Sequence, residues 1–231
     1  LPKAIIPVHL YGVPARMNEI MEVADRYGIP VVEDAAEAMG SLYDGQYCGT
    51  MGKYGILSFN GNKMITTSGG GALICADTES KNKVMWYATQ AREAYPYYQH
   101  EEVGYNYRMS NICAGIGRGQ MTIANEHINH HKHVHSTLRI KGQENAYKEV
   151  IKTAVGGAAG VIHAVDTAVT DCQPNDNVEA LRVYLLNAKI EARPVWKPMH
   201  KQPVYKNAPA YINGVSEDVF KVGMCLPAGP Y

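Results

Sequence analysis

The chain has no excess of charge of either sign, since 22 Lys and Arg residues balance 22 Asp and Glu residues among 231. Zero net charge gives no electrostatic basis for binding nucleic acid or an anionic membrane. No run approaches the ~18–20 apolar residues of a membrane span, and residues 1–4 lack a signal-peptide pattern. Because 46% of the residues are apolar, the composition predicts a soluble globular chain of one large or two small domains.

Paired cysteine motifs are also missing. The number of cysteines is odd, they are widely spaced, and no CxxC occurs; they are Cys48, Cys75, Cys113, Cys172 and Cys225. This pattern argues against a disulfide scaffold and a zinc site. We predict free thiols in a reducing compartment, the cytoplasm.

The first third of the chain has the pattern of a parallel α/β protein. Residues 4–10 and 29–34 are short apolar runs that predict buried strands, and residues 17–27 have apolar positions at helical spacing. Gly28 follows this helix where a terminating glycine is expected. A strand, a helix and a strand within about 30 residues indicate a βαβ unit and therefore a parallel sheet.

Further elements follow from the same kind of pattern. A glycine triplet, Gly69–Gly71, is expected to join two short strands, and a stretch of small residues suggests a domain boundary near 154–160. The other predicted elements are strands at 56–59, 64–67 and 71–76, helices at 79–93, 112–140 and 177–188, a loop at 95–108, and an extended or looped segment at 193–200.

Three side chains near predicted strand ends could carry chemistry. Asp34 lies where ligands bind in open α/β sheets, so its carboxylate could pair with a cationic ligand group or could cap a following helix. Lys63 could be an amine nucleophile for a carbonyl group or a solvated loop lysine. Ser58 could bind phosphate or satisfy the local backbone. The glycines Gly69–Gly71 could approach a ligand or form a tight turn.

Five histidines occur within one predicted helix: His127, His130, His131, His133 and His135. His127 and His131 are four residues apart, a spacing that could chelate a metal from one helix face. However, no HExxH motif is present, and no acidic or cysteine ligand stands at a matching spacing. The pattern favours a solvated helix face, and we predict no metal site.

Five motifs follow one another in the chain: VVEDAAEAMGS, GILSFNGNKMITTSGGGAL, GYNYRMSN, ARPVWKPMH and CLPAGP. In this order they resemble the DegT/DnrJ/EryC1/StrS family of pyridoxal-phosphate-dependent sugar aminotransferases, over most of residues 4–135 and 177–231. The resemblance implies an α/β protein of fold type I, with a mostly parallel sheet flanked by helices and a smaller C-terminal α+β domain. We expect residues 1–140 to form part of the large cofactor-binding domain with a connecting helix, and residues 141–231 to form a truncated small domain.

The resemblance also assigns roles to single residues. Lys63 matches the lysine that binds pyridoxal 5'-phosphate covalently, and Asp34 matches the aspartate that pairs with the protonated pyridine nitrogen. Glu37 lies at the position near the cofactor's 3-hydroxyl, where many relatives have Gln or His, and Ser58 matches the serine that binds the phosphate. Asn106, in GYNYR, resembles an asparagine that reaches the phosphate in the neighbouring subunit, which implies a homodimer with shared active sites.

The implied reaction moves an amino group, from glutamate as the expected donor, to a nucleotide-linked keto-sugar. The sequence around Lys63 most resembles 4-aminotransferases acting on UDP-4-keto-6-deoxy-N-acetylglucosamine, and perosamine synthases acting on a GDP-linked sugar are the alternative. Arg193, Trp196 and His200 lie in the segment that resembles the family's substrate-side loop, although Trp196 could equally belong to the core.

The chain departs from the family pattern in three places. The part that precedes PVHLYG in relatives is expected to be missing, as is a final helix, and residues 141–174 match poorly. A catalytically incomplete fragment or a partner subunit is therefore an alternative to an active enzyme. Lys63 argues against the family's sugar dehydratases, which carry histidine there, and the lack of a glycine fingerprint after a strand argues against a nicotinamide oxidoreductase.

Overall fold

The computed structural model describes residues 1–144, 161–163 and 174–227. The chain divides into two compact units, with Leu1–Asn129 in the first and His130 opening the second. The predicted domain boundary at residue 140 stays a prediction, and the predicted boundary stretch at 154–160 lies outside the described residues. No helix in the described ranges combines the length and apolar character needed to cross a membrane.

The first unit is built around a three-stranded sheet and four helices. In chain order its strands β1 to β5 are Val32–Asp34, Leu42–Tyr43, Gln46–Tyr47, Tyr54–Ser58 and Gly71–Cys75. Its helices α1 to α4 are Met17–Tyr27, Thr78–Ala88, Asn111–Met121 and Ala124–Glu144, the last of which continues into the second unit. Strand β4 lies between β1, which runs parallel to it, and β5, which runs antiparallel. Strands β2 and β3 form a separate hairpin.

Helix α1 has the predicted bounds, because its apolar spacing and its terminating glycine point to the same structure. Met17 and Ala24 are buried on its inner face and form a cluster with Val31, which precedes β1. Gly28 adopts the left-handed conformation (φ +63°) and ends the helix. Glycine is favoured there because a Cβ atom disfavours this conformation.

The N-terminal segment lies beside β1, but it is not the continuous buried strand that residues 4–10 predict. Only Ile5 and Val8 form isolated parallel bridges, with Val31 and Asp34. Pro7 has no backbone N–H to donate and serves as an acceptor for Asp34. The segment is half-buried, because alternate side chains face solvent. The parallel βαβ arrangement of this segment, α1 and β1 is nevertheless confirmed.

The strand predicted at residues 64–67 is wrong, because this stretch is a buried loop. Met64 and Ile65 are buried, and the Thr67 N–H donates to the Phe59 carbonyl at 2.9 Å. The antiparallel partner of β5 is therefore β4, with Ser58 opposite Gly71. A short apolar run indicates burial without distinguishing a strand from a packed loop.

One predicted helix is shorter than its sequence pattern suggests, and another is divided into two. The helix expected at 79–93 ends at Ala88, after which Gln90 and Ala91 adopt positive φ. The helix expected at 112–140 is interrupted after α3, where the Thr122 N–H bonds the Gly119 carbonyl three residues back. Such tightened turns are common at helix ends.

The second unit is a small α+β arrangement, as the family resemblance implies. Its described elements are β6 (Val161–His163), α5 (Pro174–Asn187), β7 (Arg193–Pro194), α6 (Val215–Val222) and β8 (Gly223–Cys225). Strand β8 lies between β6 and β7 and runs antiparallel to both. Val178, Ala192 and Met224 form its buried cluster.

Candidate cofactor site

The C-terminal ends of β1 and β4 meet at one edge of the parallel part of the sheet. Asp34 ends β1 opposite Ile56, and Ser58 ends β4 two residues later. One Asp34 carboxylate oxygen accepts the Ala36 N–H at 3.1 Å. Because residues 35–40 form turns, the alternative that Asp34 caps a helix is wrong. A carboxylate and a hydroxyl therefore lie at the edge where ligands bind in open α/β sheets.

Lys63 is enclosed beside Glu37 and is not a solvated surface lysine. Its side chain is 16% exposed, that of Glu37 is 21% exposed, and the Nζ atom lies 3.6 Å from Glu37 Oε1. The other carboxylate oxygen of Glu37 accepts the Tyr11 N–H at 3.0 Å. Lys63 is thus held close to a carboxylate that is itself fixed to the backbone.

Contacts from two helices fix the loop that carries Lys63. The Lys63 N–H donates to the Asn60 carbonyl at 3.0 Å. The Thr66 N–H donates to Gln120 Oε1 of α3 at 3.4 Å. His127 of α4 lies with its Nδ1 3.1 Å from the Met64 carbonyl, so that nitrogen must carry the proton. His127 therefore has a structural partner, and no group of side chains in the described ranges is arranged to hold a metal.

The glycine triplet forms a tight turn between the lysine loop and β5. Gly70 adopts φ +98° and its carbonyl accepts the Phe59 N–H at 3.0 Å. A Cβ atom on Gly70 would come within 2.9 Å of the Met109 side chain. Ser58 Oγ accepts the Asn60 N–H at 3.4 Å. A close approach of this turn to a ligand stays a prediction.

A buried carboxylate directly behind the site was missed at the level of sequence. Glu33 is fully buried and accepts the N–H groups of Gly49, Met51 and Gly52 at 2.6–2.8 Å. It also bonds His9 Nε2 at 3.0 Å. Burial alone would raise the pKa of Glu33, but the bonds from His9 and from the three N–H groups outweigh burial and lower it. The sequence feature that could have identified Glu33 is a carboxylate within a predicted strand that is followed by a glycine-rich stretch.

Two buried side chains, His9 and Cys48, lie close to this carboxylate. The Ala15 N–H donates to His9 Nδ1 at 3.0 Å, which leaves Nε2–H as the donor to Glu33. Burial, together with the negative charge of Glu33, raises the pKa of the Cys48 thiol to about 11. In the part of the chain that the structure describes, Cys48, Cys75 and Cys113 are free thiols, and Cys172 lies outside that part.

Asn106 lies on an exposed segment that lines a cleft, and this lining does not include Asp34, Ser58 or Lys63. It makes an antiparallel bridge with Thr89. A cavity of about 440 Å³ lies there, and the Arg92 guanidinium stacks 4.2 Å from the centre of the Tyr98 ring. The cavity is lined by Thr89, Gln90, Arg92, Glu93, Ala94, Tyr95, Tyr98, Asn106 and Arg108. The role of Asn106 in a neighbouring subunit stays a prediction.

The three residues of the predicted substrate-side loop lie in the second unit. Arg193 is exposed and donates to Glu191 through Nε at 2.8 Å. Trp196 is 62% exposed, so the alternative that places it in the core is wrong. His200 Nε2 lies 2.8 Å from a Glu217 carboxylate oxygen. The hydrogen bond from Lys201 is the largest cause that lowers the pKa of Glu217, and the bond from His200 is the next largest. Contact of Arg193, Trp196 and His200 with substrate stays a prediction.

Two named relatives match almost the whole chain. EpsN of Bacillus subtilis (strain 168), named as a pyridoxal phosphate-dependent aminotransferase, is 43% identical over 236 residues, which cover 99% of this chain and 59% of that protein. GDP-perosamine synthase of Escherichia coli O157:H7 is 36% identical over 228 residues, with 99% and 61% covered. The chain thus spans about three-fifths of the length of these relatives.

Solved structures and a family profile agree with these relatives. A DegT DnrJ EryC1 StrS aminotransferase from Brucella abortus superposes with a TM-score of 0.84 at 26% identity, over 100% of this chain and 60% of that chain. Helicobacter pylori PseC has the same fold, with a TM-score of 0.84 at 19% identity, over 97% of this chain and 61% of that chain. These structures confirm the fold-type-I α/β architecture. The profile of the DegT/DnrJ/EryC1/StrS aminotransferase family matches residues 2–231, and the chain therefore belongs to that family.

Proposed function

We propose that this chain is part of a pyridoxal-phosphate-dependent aminotransferase for nucleotide-linked keto-sugars. The observation that carries the proposal is the enclosed Lys63 amine, held 3.6 Å from Glu37 by a loop that starts at the ligand-binding edge of the sheet. A lysine in this setting is suited to bind a carbonyl group covalently. Membership in the aminotransferase family supports the same chemistry.

The side chains at the sheet edge fit pyridoxal phosphate. An amine suits its aldehyde, a carboxylate suits a protonated pyridine nitrogen, and a hydroxyl suits a phosphate; Lys63, Asp34 and Ser58 provide these groups. Glu37 adds a second carboxylate beside the amine. When bound, the cofactor supplies an aldehyde that accepts an amine and a ring that withdraws electrons.

The protein side chains would then have separate tasks. Lys63 would hold the aldehyde carbon, and its amine, once released by the amino donor, would move a proton at the donor carbon. Asp34 would keep the pyridine nitrogen protonated by pairing with it. Ser58 would donate a hydrogen bond to the phosphate, and Asn106 of a second copy would do so from across a dimer interface.

The proposed substrate is a UDP-linked 4-keto-6-deoxy sugar, with glutamate as donor. The resemblance of the sequence around Lys63 to 4-aminotransferases for such sugars supports this substrate, and Arg193, Trp196 and His200 are the proposed substrate-side residues. A GDP-linked sugar is the second candidate, because one of the relatives is a GDP-perosamine synthase. Formation of 2-oxoglutarate from glutamate, measured separately with each nucleotide sugar, discriminates between the two.

The first test is an absorbance spectrum of the purified chain with pyridoxal phosphate, before and after borohydride. We expect a yellow band, with the reduced cofactor attached to Lys63 in peptide mass spectra. Lys63→Ala should lack both signals, whereas Lys81→Ala, on the exposed face of α2, should keep them. The absence of a band from the unmodified chain would contradict the proposal for this chain and favour a catalytically incomplete fragment or partner subunit.

A further inference from the structure

Glu37 connects the Lys63 amine to a fixed point in the backbone. Its Oε2 accepts the Tyr11 N–H at 3.0 Å, and its Oε1 lies 3.6 Å from Lys63 Nζ. Tyr11 belongs to a short 3-10 turn, Leu10–Gly12, and has a positive φ of 55°. The Gly12 carbonyl in the same turn accepts a bond from buried Ser41. The carboxylate is thus oriented by one oxygen while the other faces the lysine.

A carboxylate serves this position in a way that an amide cannot. Glutamate has two acceptor oxygens, whereas glutamine has one acceptor and one donor group. With Gln at position 37, an oxygen that accepts the Tyr11 N–H would leave an NH2 group, in place of a carboxylate oxygen, facing the Lys63 amine. A carboxylate can also take a proton from an ammonium group and return it, which an amide does not do at neutral pH.

We infer that Glu37 is the proton acceptor and carrier for Lys63 when its amine captures an aldehyde. The inference rests on the proposed function, since that function makes an aldehyde the reactant of Lys63. The 3.6 Å separation exceeds a direct hydrogen bond by only a few tenths of an ångström, so a small side-chain rotation brings the two groups into contact. Both side chains are mostly enclosed, which limits the access of solvent bases.

The atoms and electrons of this step balance without another reactant. An N–H bond of the ammonium breaks, the proton moves to Glu37, and the freed electron pair forms a C–N bond to the aldehyde carbon. At the same time the π electron pair of the carbonyl bond moves to the oxygen. Two of the three ammonium protons pass through Glu37 to that oxygen, which leaves as water. The third proton stays on nitrogen in a cationic C=N group beside the regenerated carboxylate.

The test uses formaldehyde, which reacts with lysine without needing a cofactor site, and a borane reductant that traps each C=N group as a methylamine. Peptide mass spectrometry gives the methylation rate at Lys63, with Lys81 in the same sample as an internal standard. We expect Glu37→Gln and Glu37→Ala to slow methylation of Lys63 about tenfold or more. Added formate should restore the rate in Glu37→Ala, where a carboxylate fits the vacated space.

Glu22→Gln is the matched control, because Glu22 is an exposed carboxylate that pairs with Arg26 on α1. An unchanged or faster rate at Lys63 in the Glu37 variants would overturn the inference. A slower rate that formate does not restore would also overturn it, since Glu37 would then only position the amine. Pyridoxal phosphate is tested separately. If the unmodified chain gives no yellow band but methylation of Lys63 depends on Glu37, the inference stands and the proposed function fails.

Discussion

At the scale of single residues, Glu33 stabilises the strand end that carries Asp34. Its two oxygens accept bonds from His9 and from the N–H groups of Gly49, Met51 and Gly52, so a carboxylate of β1 organises the following glycine-rich loop. Buried charges are tolerated when hydrogen bonds replace the lost water. Removing the negative charge leaves several buried N–H donors without a suitable acceptor.

We predict that Glu33→Gln lowers the free energy of unfolding by about 3 kcal/mol at pH 7, because the amide group turns a donor toward buried N–H groups. The bonds to Glu33 lower its pKa in the folded state despite burial. The contribution of the ionised Glu33 side chain to the free energy of unfolding is therefore complete above the unfolded-state pKa of about 4.3. This contribution is lost as the pH falls through the folded-state pKa. Urea denaturation at pH 7 and at several values below pH 5 measures this, and the difference between the two proteins should shrink in acid.

The control for this prediction is Glu22→Gln, which removes an exposed carboxylate 2.7 Å from Arg26. An exposed pair of this kind contributes less than about 1 kcal/mol. Equal losses of stability in the two variants would contradict the role of Glu33. The role of Glu33 would also be contradicted if the free energies of unfolding of Glu33→Gln and of the unmodified chain differed by the same amount at every pH down to pH 3.

Single site residues can be predicted from the sequence, but their long-range partners cannot. Lys63, Asp34 and Ser58 could be selected because their positions relative to strands and glycines are visible in the sequence. The ion pair of Lys63 with Glu37, and the network of Glu33 with His9, join residues 24 or more positions apart. Such pairings depend on how the chain packs, and local pattern carries no information about them.

At the scale of elements, α4 stabilises the loop that carries Lys63. We predict that His127→Ala, which removes the bond to the Met64 carbonyl, costs about 1 kcal/mol and loosens this loop. Hydrogen exchange should become faster at the Lys63 and Thr67 amides, which bond within the loop region, and stay unchanged in α1. Opening of the loop separates the lysine amine from Glu37, so cofactor capture should also be slower.

Asn129→Ala is the control, because Asn129 is exposed on the same helix, two residues from His127. It tests whether the loss of a polar side chain from α4 is sufficient to change the loop. Exchange that rises equally in both variants would indicate general fraying of α4 and would contradict a specific role for His127.

The elements also show where pattern suffices and where it fails. Helix α1 could be predicted to the residue, because amphipathic spacing and Gly28 agree. The stretch 64–67 was misassigned because burial of Met64 and Ile65 comes from tertiary packing of a loop. The end of α2 at Ala88 is set by contacts of the following segment, where the Gln90 N–H bonds the Tyr105 carbonyl. No residue before Gln90 signals this pairing.

At the scale of the whole molecule, an aromatic surface surrounds Asn106. Tyr105 and Tyr107 stack on each other at 5.0 Å on either side of it, and Tyr95 stacks on Tyr97 at 5.4 Å. These four rings are all exposed in the single chain. Exposed aromatic groups of this kind are enriched at protein interfaces. The surface supports the proposal that a second copy of the chain binds here and receives Asn106 in its cofactor site.

Hybrid dimers test this proposal directly. In a symmetric dimer with shared sites, a Lys63→Ala subunit paired with an Asn106→Ala subunit has one site with both residues and one with neither. We therefore expect hybrids, co-expressed with two different tags and purified through both, to capture about half of the wild-type amount of cofactor with wild-type affinity. Lys63→Ala homodimers should capture none, and Asn106→Ala homodimers should bind more weakly at every site. If the sites were not shared, the hybrid would contain an Asn106→Ala site and an empty site. Uniformly weak capture by the hybrid would contradict the proposal, as would a failure of the two tags to co-purify.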